Sequence, residues 1–318
     1  MAFSRAYFRA ITVHHAWWRS SFVALCVLTC CSLGCRTFCP RSLTQNVVDA
    51  RQASLVGLDA MQQGRWDEAE RIFTNAVKAC PVDERARGCY AETLWRRGAC
   101  EQAVAHMQEA VKLSGDDPQR LVQLGEMHLA MGHLEEAARC AEQATAKNCR
   151  LSGAWALKGD VDVARGRLDD ALATYHRAVA YNAHQPRVQL AMSSIYQRQE
   201  RPQRALSTLE TLAEQFPPGE IPANVYAAQG KCLKQLGRHQ DAVEMLAQAV
   251  IQGTPSADLL VELADAQFQA GDAIAANSTL DSALVQDPGH SYGLQLKSSL
   301  ETRQNSALTA RIGNRPLR

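Results

Sequence analysis

Apolar and small residues along this chain recur at helical spacing, and the helical runs are interrupted at a fixed interval. Ser152–Gly159 opens one apolar run around Trp155, Gly166 interrupts it, and a second run sets Ala171, Tyr175 and Ala178 on one face. The same punctuation returns along the chain at Gly64, Gly98, Gly132, Gly166, Glu200, Gly237 and Gly271, spaced 34, 34, 34, 34, 37 and 34 residues apart. Five residues after each breaker stands an alanine: Ala69, Ala103, Ala137, Ala171, Ala205, Ala242 and Ala276. Seven residues before each breaker stand Gly57, Ala91, Gly125, Gly159, Ser193, Gly230 and Ala264. A third column, Phe73, Met107, Ala141, Tyr175, Leu209, Leu246 and Leu280, supplies larger fillers.

Small side chains let two antiparallel helices approach closely, and the larger apolar residues fill the gaps between them. Glycine at the breaker permits the left-handed backbone that ends a helix and turns the chain back. One hairpin cannot bury its apolar face alone, whereas stacked neighbours can. The pattern therefore predicts seven helical hairpins over 50–83, 84–117, 118–151, 152–185, 186–222, 223–256 and 257–290. Pro118 and Pro186 suit the first turn of a helix, where the missing N–H does no harm. The fifth repeat carries a three-residue insertion within Phe216–Pro222, which reads either as a hinge or as a tolerated longer loop. A last apolar run over 291–302, with Tyr292, Leu294, Leu296 and Leu300, predicts a capping helix. Residues 36–49 read as a tether, and 303–318, poor in apolar residues, as a disordered basic tail.

The columns resemble the tetratricopeptide repeat family. Trp155, Gly159, Gly166, Ala171, Tyr175 and Ala178 match its pattern in the fourth repeat; Gly57, Gly64, Trp66, Ala69, Phe73, Ala76 and Pro81 match it in the first. The resemblance covers roughly residues 50–290 and implies an all-α fold, a right-handed α-solenoid of about seven hairpins with a C-terminal cap. It speaks for fold more than for function, because these residues are structural.

The N-terminus changes the picture. Arg5, Arg9 and Arg19 precede an uncharged, largely apolar run from Phe22 to Gly34, 13 residues long. That length suits an export signal and falls short of the roughly 20 residues of a spanning helix. Ser32-Leu33-Gly34-Cys35 resembles a bacterial lipobox, although Ser32 stands where that family prefers leucine. Residues 1–35 are thus expected to be a leader with Cys35 as the lipidation site, or else an uncleaved anchor or an ordinary cleaved signal. If lipoprotein sorting carries over, Arg36 favours the outer membrane. Cys31, Cys35 and Cys39 lack the paired spacing and histidine partners of a zinc site. Cys80, Cys89, Cys100, Cys140, Cys149 and Cys232 are scattered through the array, and no disulfide framework is expected.

Formal net charge is only +1, but residues 50–302 carry 25 basic and 32 acidic side chains. An acidic array argues against nucleic acid, which needs clustered Lys and Arg. No phosphate-binding loop, zinc-protease helix, nucleophile elbow or haem-attachment motif occurs. His128 and His133 flank a turn, and Glu135-Glu136 and Asp169-Asp170 sit where acids complement a helix dipole rather than act as an acid–base pair. The expectation is a non-enzymatic protein with no cofactor, no metal and no small-molecule substrate.

In the tetratricopeptide family the first helices line a concave groove that takes a peptide or partner helix. Carrying the register over gives Arg51, Ser54, Leu58, Met61, Glu92, Trp95, Arg96, Glu126, Leu129, Asp160, Val163, Arg187, Leu190, Arg198, Lys231, Lys234, Asp265 and Phe268 as groove candidates. Trp95 and Phe268 are the aromatic anchors, with packing between helices the competing role. Ser54 and Leu58 stand where the family's carboxylate clamp would need Lys and Asn, so that function is not supported. Two functions follow. One is an envelope-anchored scaffold binding protein segments, attached to the membrane by lipid or anchor at its periplasmic face. The other is an inner-membrane accessory subunit of an enzyme complex such as polysaccharide synthesis or export.

Overall fold

The computed structural model describes residues 40–217 and 219–313, and the expectations for 1–35, Cys35 included, lie outside them. Among the described residues there are fifteen helices and no strand. The helices are α1 (Pro40–Gln62), α2 (Trp66–Ala79), α3 (Glu84–Arg96), α4 (Cys100–Leu113), α5 (Pro118–Ala130), α6 (Leu134–Lys147), α7 (Ser152–Ala164) and α8 (Leu168–Tyr181). They continue as α9 (Pro186–Arg198), α10 (Pro202–Ala213), α11 (Ala223–Gln235), α12 (His239–Gln252), α13 (Ala257–Gln269), α14 (Ala273–Gln286) and α15 (Ser291–Gly313). None is long and apolar enough to cross a membrane.

The chain divides into two compact units, one ending at Gly115 and the other beginning at Asp116. The first holds the hairpins α1–α2 and α3–α4, with α2 against α3. The second holds five hairpins from α5 to α14, each second helix packing on the following first helix, with α15 against α14 and α13. This is the stacked-hairpin, all-α solenoid architecture that the columns predict. The unit boundary falls between the second and third repeats, not at the proline-rich insertion. One continuous core runs past that insertion, joining Tyr175, Leu209, Leu233, Leu246 and Leu263.

The two small-residue columns and the filler column do what their sizes require. Ala69, Ala103, Ala137, Ala171, Ala205, Ala242 and Ala276 are fully buried. A methyl group added at Gly159 would overlap the Tyr175 ring, and one at Gly57 would come within 2.6 Å of Phe73. At the breaker, Gly166 adopts φ +76°. Glu200 adopts φ +57° in the same place, without the freedom of glycine. Asp83 and Asp117 cap α3 and α5 by accepting hydrogen bonds from backbone N–H groups of the first turn, satisfying donors that the helix itself leaves free. Along the turns, polar side chains link successive repeats: Arg165 to Glu135 at 2.6 Å, and Gln199 to Asp169 at 3.0 Å. In the first unit Arg97 reaches Asp67 and Glu70 in the same manner.

Two boundaries differ from the sequence reading. The stretch expected to be a tether enters α1 at Pro40, because proline opens a helix well and nothing between Arg41 and Gln62 breaks one except Gly57. The capping helix continues to Gly313 instead of ending at Thr302, so 303–313 is helical rather than disordered. Ser306–Ile312 contains no glycine or proline, and the next helix breaker is Gly313 itself.

Candidate interaction surface

The register columns set one face of each first helix away from its hairpin partner, and the sequence-predicted residues fall on these faces. In the first unit they lie on α1 and α3, which touch each other. Leu58 is 37% exposed, Arg51 and Arg96 are exposed, and Met61, Glu92 and Trp95 are half-buried. Met61 packs on the core of Ala60, Ala69 and Phe73. Ser54 does not belong on this surface: it is buried. Leu55, the next residue, is 68% exposed. A one-residue offset on a helix is a 100° rotation, which is why the column misplaced it.

In the second unit the surface is carried by α5, α7, α9, α11 and α13. Here the charged candidates are joined into two networks. In the first, Asp160 of α7 accepts hydrogen bonds from the Tyr175 hydroxyl and from Arg187 of α9, each at 2.6 Å. Arg187 also lies 4.0 Å from Glu126 of α5. Burial raises the Glu126 pKa, opposed by the Arg187 charge and assisted by Asp160. Burial and the adjacent Asp160 charge hold the Tyr175 phenol far above its ordinary value, so it stays a donor. Arg187 loses some solvation, but its hydrogen bond to Asp160 and the flanking carboxylates strengthen its positive form.

The second network joins α11, α13 and α15. Lys234 donates to Glu262 at 2.5 Å and to Asp265 at 2.7 Å, and Lys231 lies 3.7 Å from Glu262. Asp265, 4% exposed, also accepts from Gln269 at 2.9 Å, and, after burial, its carboxylate is what raises the pKa of Tyr292 on α15. Burial works against the Lys234 charge, but its two carboxylate partners outweigh that and raise its pKa. Asp265 was expected to face a partner and instead closes this network, since a carboxylate so buried needs several donors.

The remaining candidates are Leu129, Val163 and Phe268, half-buried, and Arg198, exposed. Val163 and Leu190 pack on the main core, and Phe268 on the core beneath α15. Sequence reasoning missed Glu262, Gln269, Tyr292 and the hydroxyl of Tyr175 as members of this surface. Glu262 could have been found, being three residues before Asp265 and hence on the same helix face. Tyr175 was read as a core filler, which its ring is; its hydroxyl also donates to Asp160 of α7.

The surface offers preset donors and acceptors over half-buried apolar side chains, an arrangement suited to recognition. Among the described residues no His, Cys, Asp or Glu group is placed to hold a metal ion. Cys80, Cys100, Cys140, Cys149 and Cys232 are free thiols. Burial raises the thiol pKa of Cys140 and Cys232, which makes them poor nucleophiles.

Comparison with known proteins adds three kinds of finding. Two models described as tetratricopeptide repeat match residues 57–118 and 122–186, and 162–232 and 233–300. Cellulose synthase operon protein C of Pseudomonas fluorescens (strain SBW25) is 25% identical over 274 residues, which are 78% of this chain and 21% of that protein. The chain thus spans about a fifth of that relative. The solved structure of PilW, a widely conserved type IV pilus biogenesis factor, superposes with a TM-score of 0.57 at 18% identity, covering 63% of this chain and 91% of that one. YrrB, a protein of the same repeat type with an unusual peptide-binding site, superposes with a TM-score of 0.51 at 18% identity, covering 60% and 97%.

Proposed function

Because the chain belongs to the tetratricopeptide repeat family, we propose that it is a non-enzymatic scaffold that holds an extended segment of a partner protein on its first-helix faces. The observation that carries this reading is the preset geometry on the second unit: Tyr175 and Asp160 fix Arg187 before any partner arrives. A donor fixed in advance loses less rotamer freedom on binding, so more of the contact appears as affinity. The peptide site named for YrrB supports a peptide-sized partner. The test is capture from the native cell extract by the full chain and by Leu129→Asp. The expected result is a discrete partner that the variant loses; equal capture by both would remove this surface from the account.

The finer reading places this scaffold in the cell envelope, with Cys35 as the lipid-bearing N-terminus. It rests on the leader pattern of Phe22–Cys35 and is supported by the pilus-factor likeness only at the level of fold. An intact mass beginning at Cys35 with lipid attached is expected from membrane extracts; a mass beginning at Met1 would sink that reading. A second reading, an accessory subunit of polysaccharide synthesis or export, is favoured by the cellulose synthase operon relative. It expects the chain to co-purify with a catalytic subunit of that kind.

A further inference from the structure

Four second helices begin behind an arginine: Arg65, Arg167, Arg201 and Arg238 stand as N-caps of α2, α8, α10 and α12. A cation at the positive end of a helix dipole is unfavourable unless an anion offsets it. Three of the four are offset. Arg65 pairs with Asp59 and Glu68, Arg167 with Asp162 and Asp170, and Arg238 with Asp241. Arg201 has no such partner, and the first turn of α10 holds no acid at all but adds Arg204. Arg198, the last residue of α9, completes the group. All three side chains are exposed, and among the described residues none forms an ion pair.

The chain path through this turn is also unusual. Glu200 holds φ +57° where the six other repeats use glycine. A non-glycine residue there costs roughly 1–2 kcal/mol of backbone strain. Its carboxylate is exposed and paired with none of the three arginines, so the turn keeps an excess of positive charge on an array that is otherwise acidic.

We propose that the α9–α10 turn, through Arg198, Arg201 and Arg204, is a docking edge for a short acidic segment of a partner protein. This rests on the scaffold reading above and names the chemistry of part of its partner. Planar guanidinium groups suit carboxylates, which they grip with two parallel hydrogen bonds. A short acidic segment fits better than a polyanion, because the three arginines are a local island among 25 basic and 32 acidic residues over 50–302. A nucleic acid or anionic membrane would meet repulsion beyond the turn.

The experiment uses the full chain and a fluorescent peptide of alternating Glu and Ser, with a Gln-and-Ser peptide of equal length as reference, read by anisotropy at low salt. The acidic peptide should bind, and R198Q/R201Q/R204Q should weaken it by about tenfold or more. Glu200→Gly removes a competing carboxylate and should tighten it about twofold. Equal binding of the two peptides, unchanged affinity in the triple variant, or equally tight binding of an oligonucleotide or of phosphatidylglycerol vesicles would each overturn the proposal. Leu129→Asp should leave this peptide's affinity unchanged while abolishing partner capture. Failure of the arginine edge and failure of the first-helix surface are therefore read separately.

Discussion

Removing one hydroxyl, by Tyr175→Phe, tests whether the first-helix surface is prearranged by the fold. The ring stays, so its packing against Gly159 is unchanged; only the 2.6 Å hydrogen bond to Asp160 is lost. Tyr175 is 1% exposed, and the Asp160 side chain 14%, so water cannot readily replace the donor. A hydrogen bond to a charged group contributes about 1.5–3 kcal/mol, and about 1 kcal/mol returns because the buried hydroxyl is also removed. Asp160 keeps Arg187, which limits the damage. The expected net cost is about 1–2 kcal/mol, or a fall of about 4 °C in the melting midpoint for a unit of this size. Thermal unfolding followed by circular dichroism reads it. In an Asp160→Ala background the same Tyr175→Phe change should be neutral or slightly stabilising. A midpoint within about 1 °C of wild type, or an equal cost in both backgrounds, would refute the idea that Tyr175 holds Asp160, and through it Arg187.

Other expectations follow from the same geometry. Gly159→Ala pushes a methyl into the Tyr175 ring and should destabilise by about 1–3 kcal/mol despite the better helix propensity of alanine, as judged by denaturant midpoint. Lys234→Met leaves Asp265 with Gln269 as its side-chain donor and should cost about 2 kcal/mol or more, largely restored by Asp265→Asn in the same chain. The stability that Lys234 draws from this pairing should be in place at neutral pH and fade only as pH rises above the ordinary lysine pKa, because its folded pKa is raised. His106 and His128 behave oppositely: burial lowers both, aided by Arg87 and His133 respectively, so the unfolded chain binds protons more readily. Stability should fall as pH drops through and below 6.5, and replacing His128 by Gln should flatten that slope.

Much of the fold was legible because its determinants are local and periodic. Glycine breakers, alanine contacts and the Phe73–Leu280 filler column each state a steric requirement that recurs with the repeat. What could not be read was set by contacts distant in sequence or by geometry finer than the column. Asp160 and Arg187 are 27 residues apart, and nothing in either helix alone says that they pair. Ser54 sits one step around α1 from the exposed Leu55, a difference that a period of 34 does not encode. Tyr292 lies in a different element from Asp265, and only the return of α15 onto α13 joins them. The boundary at Gly115 had a faint signal in Gly115-Asp116, where both residues take positive φ, +70° and +61°. The sequence reading weighs a hinge only at the proline-rich insertion, beside a tolerated longer loop there.

The most direct test of the scaffold account is site-specific photocrosslinking of the full chain in its native cells. A photoreactive phenylalanine derivative placed at Val163, on the first-helix surface, is compared with the same residue at Ile274, 84% exposed on α14. A discrete protein adduct from Val163 and none from Ile274 is the predicted result. No adduct at Val163, or the same adduct from both positions, would contradict recognition on the first-helix faces.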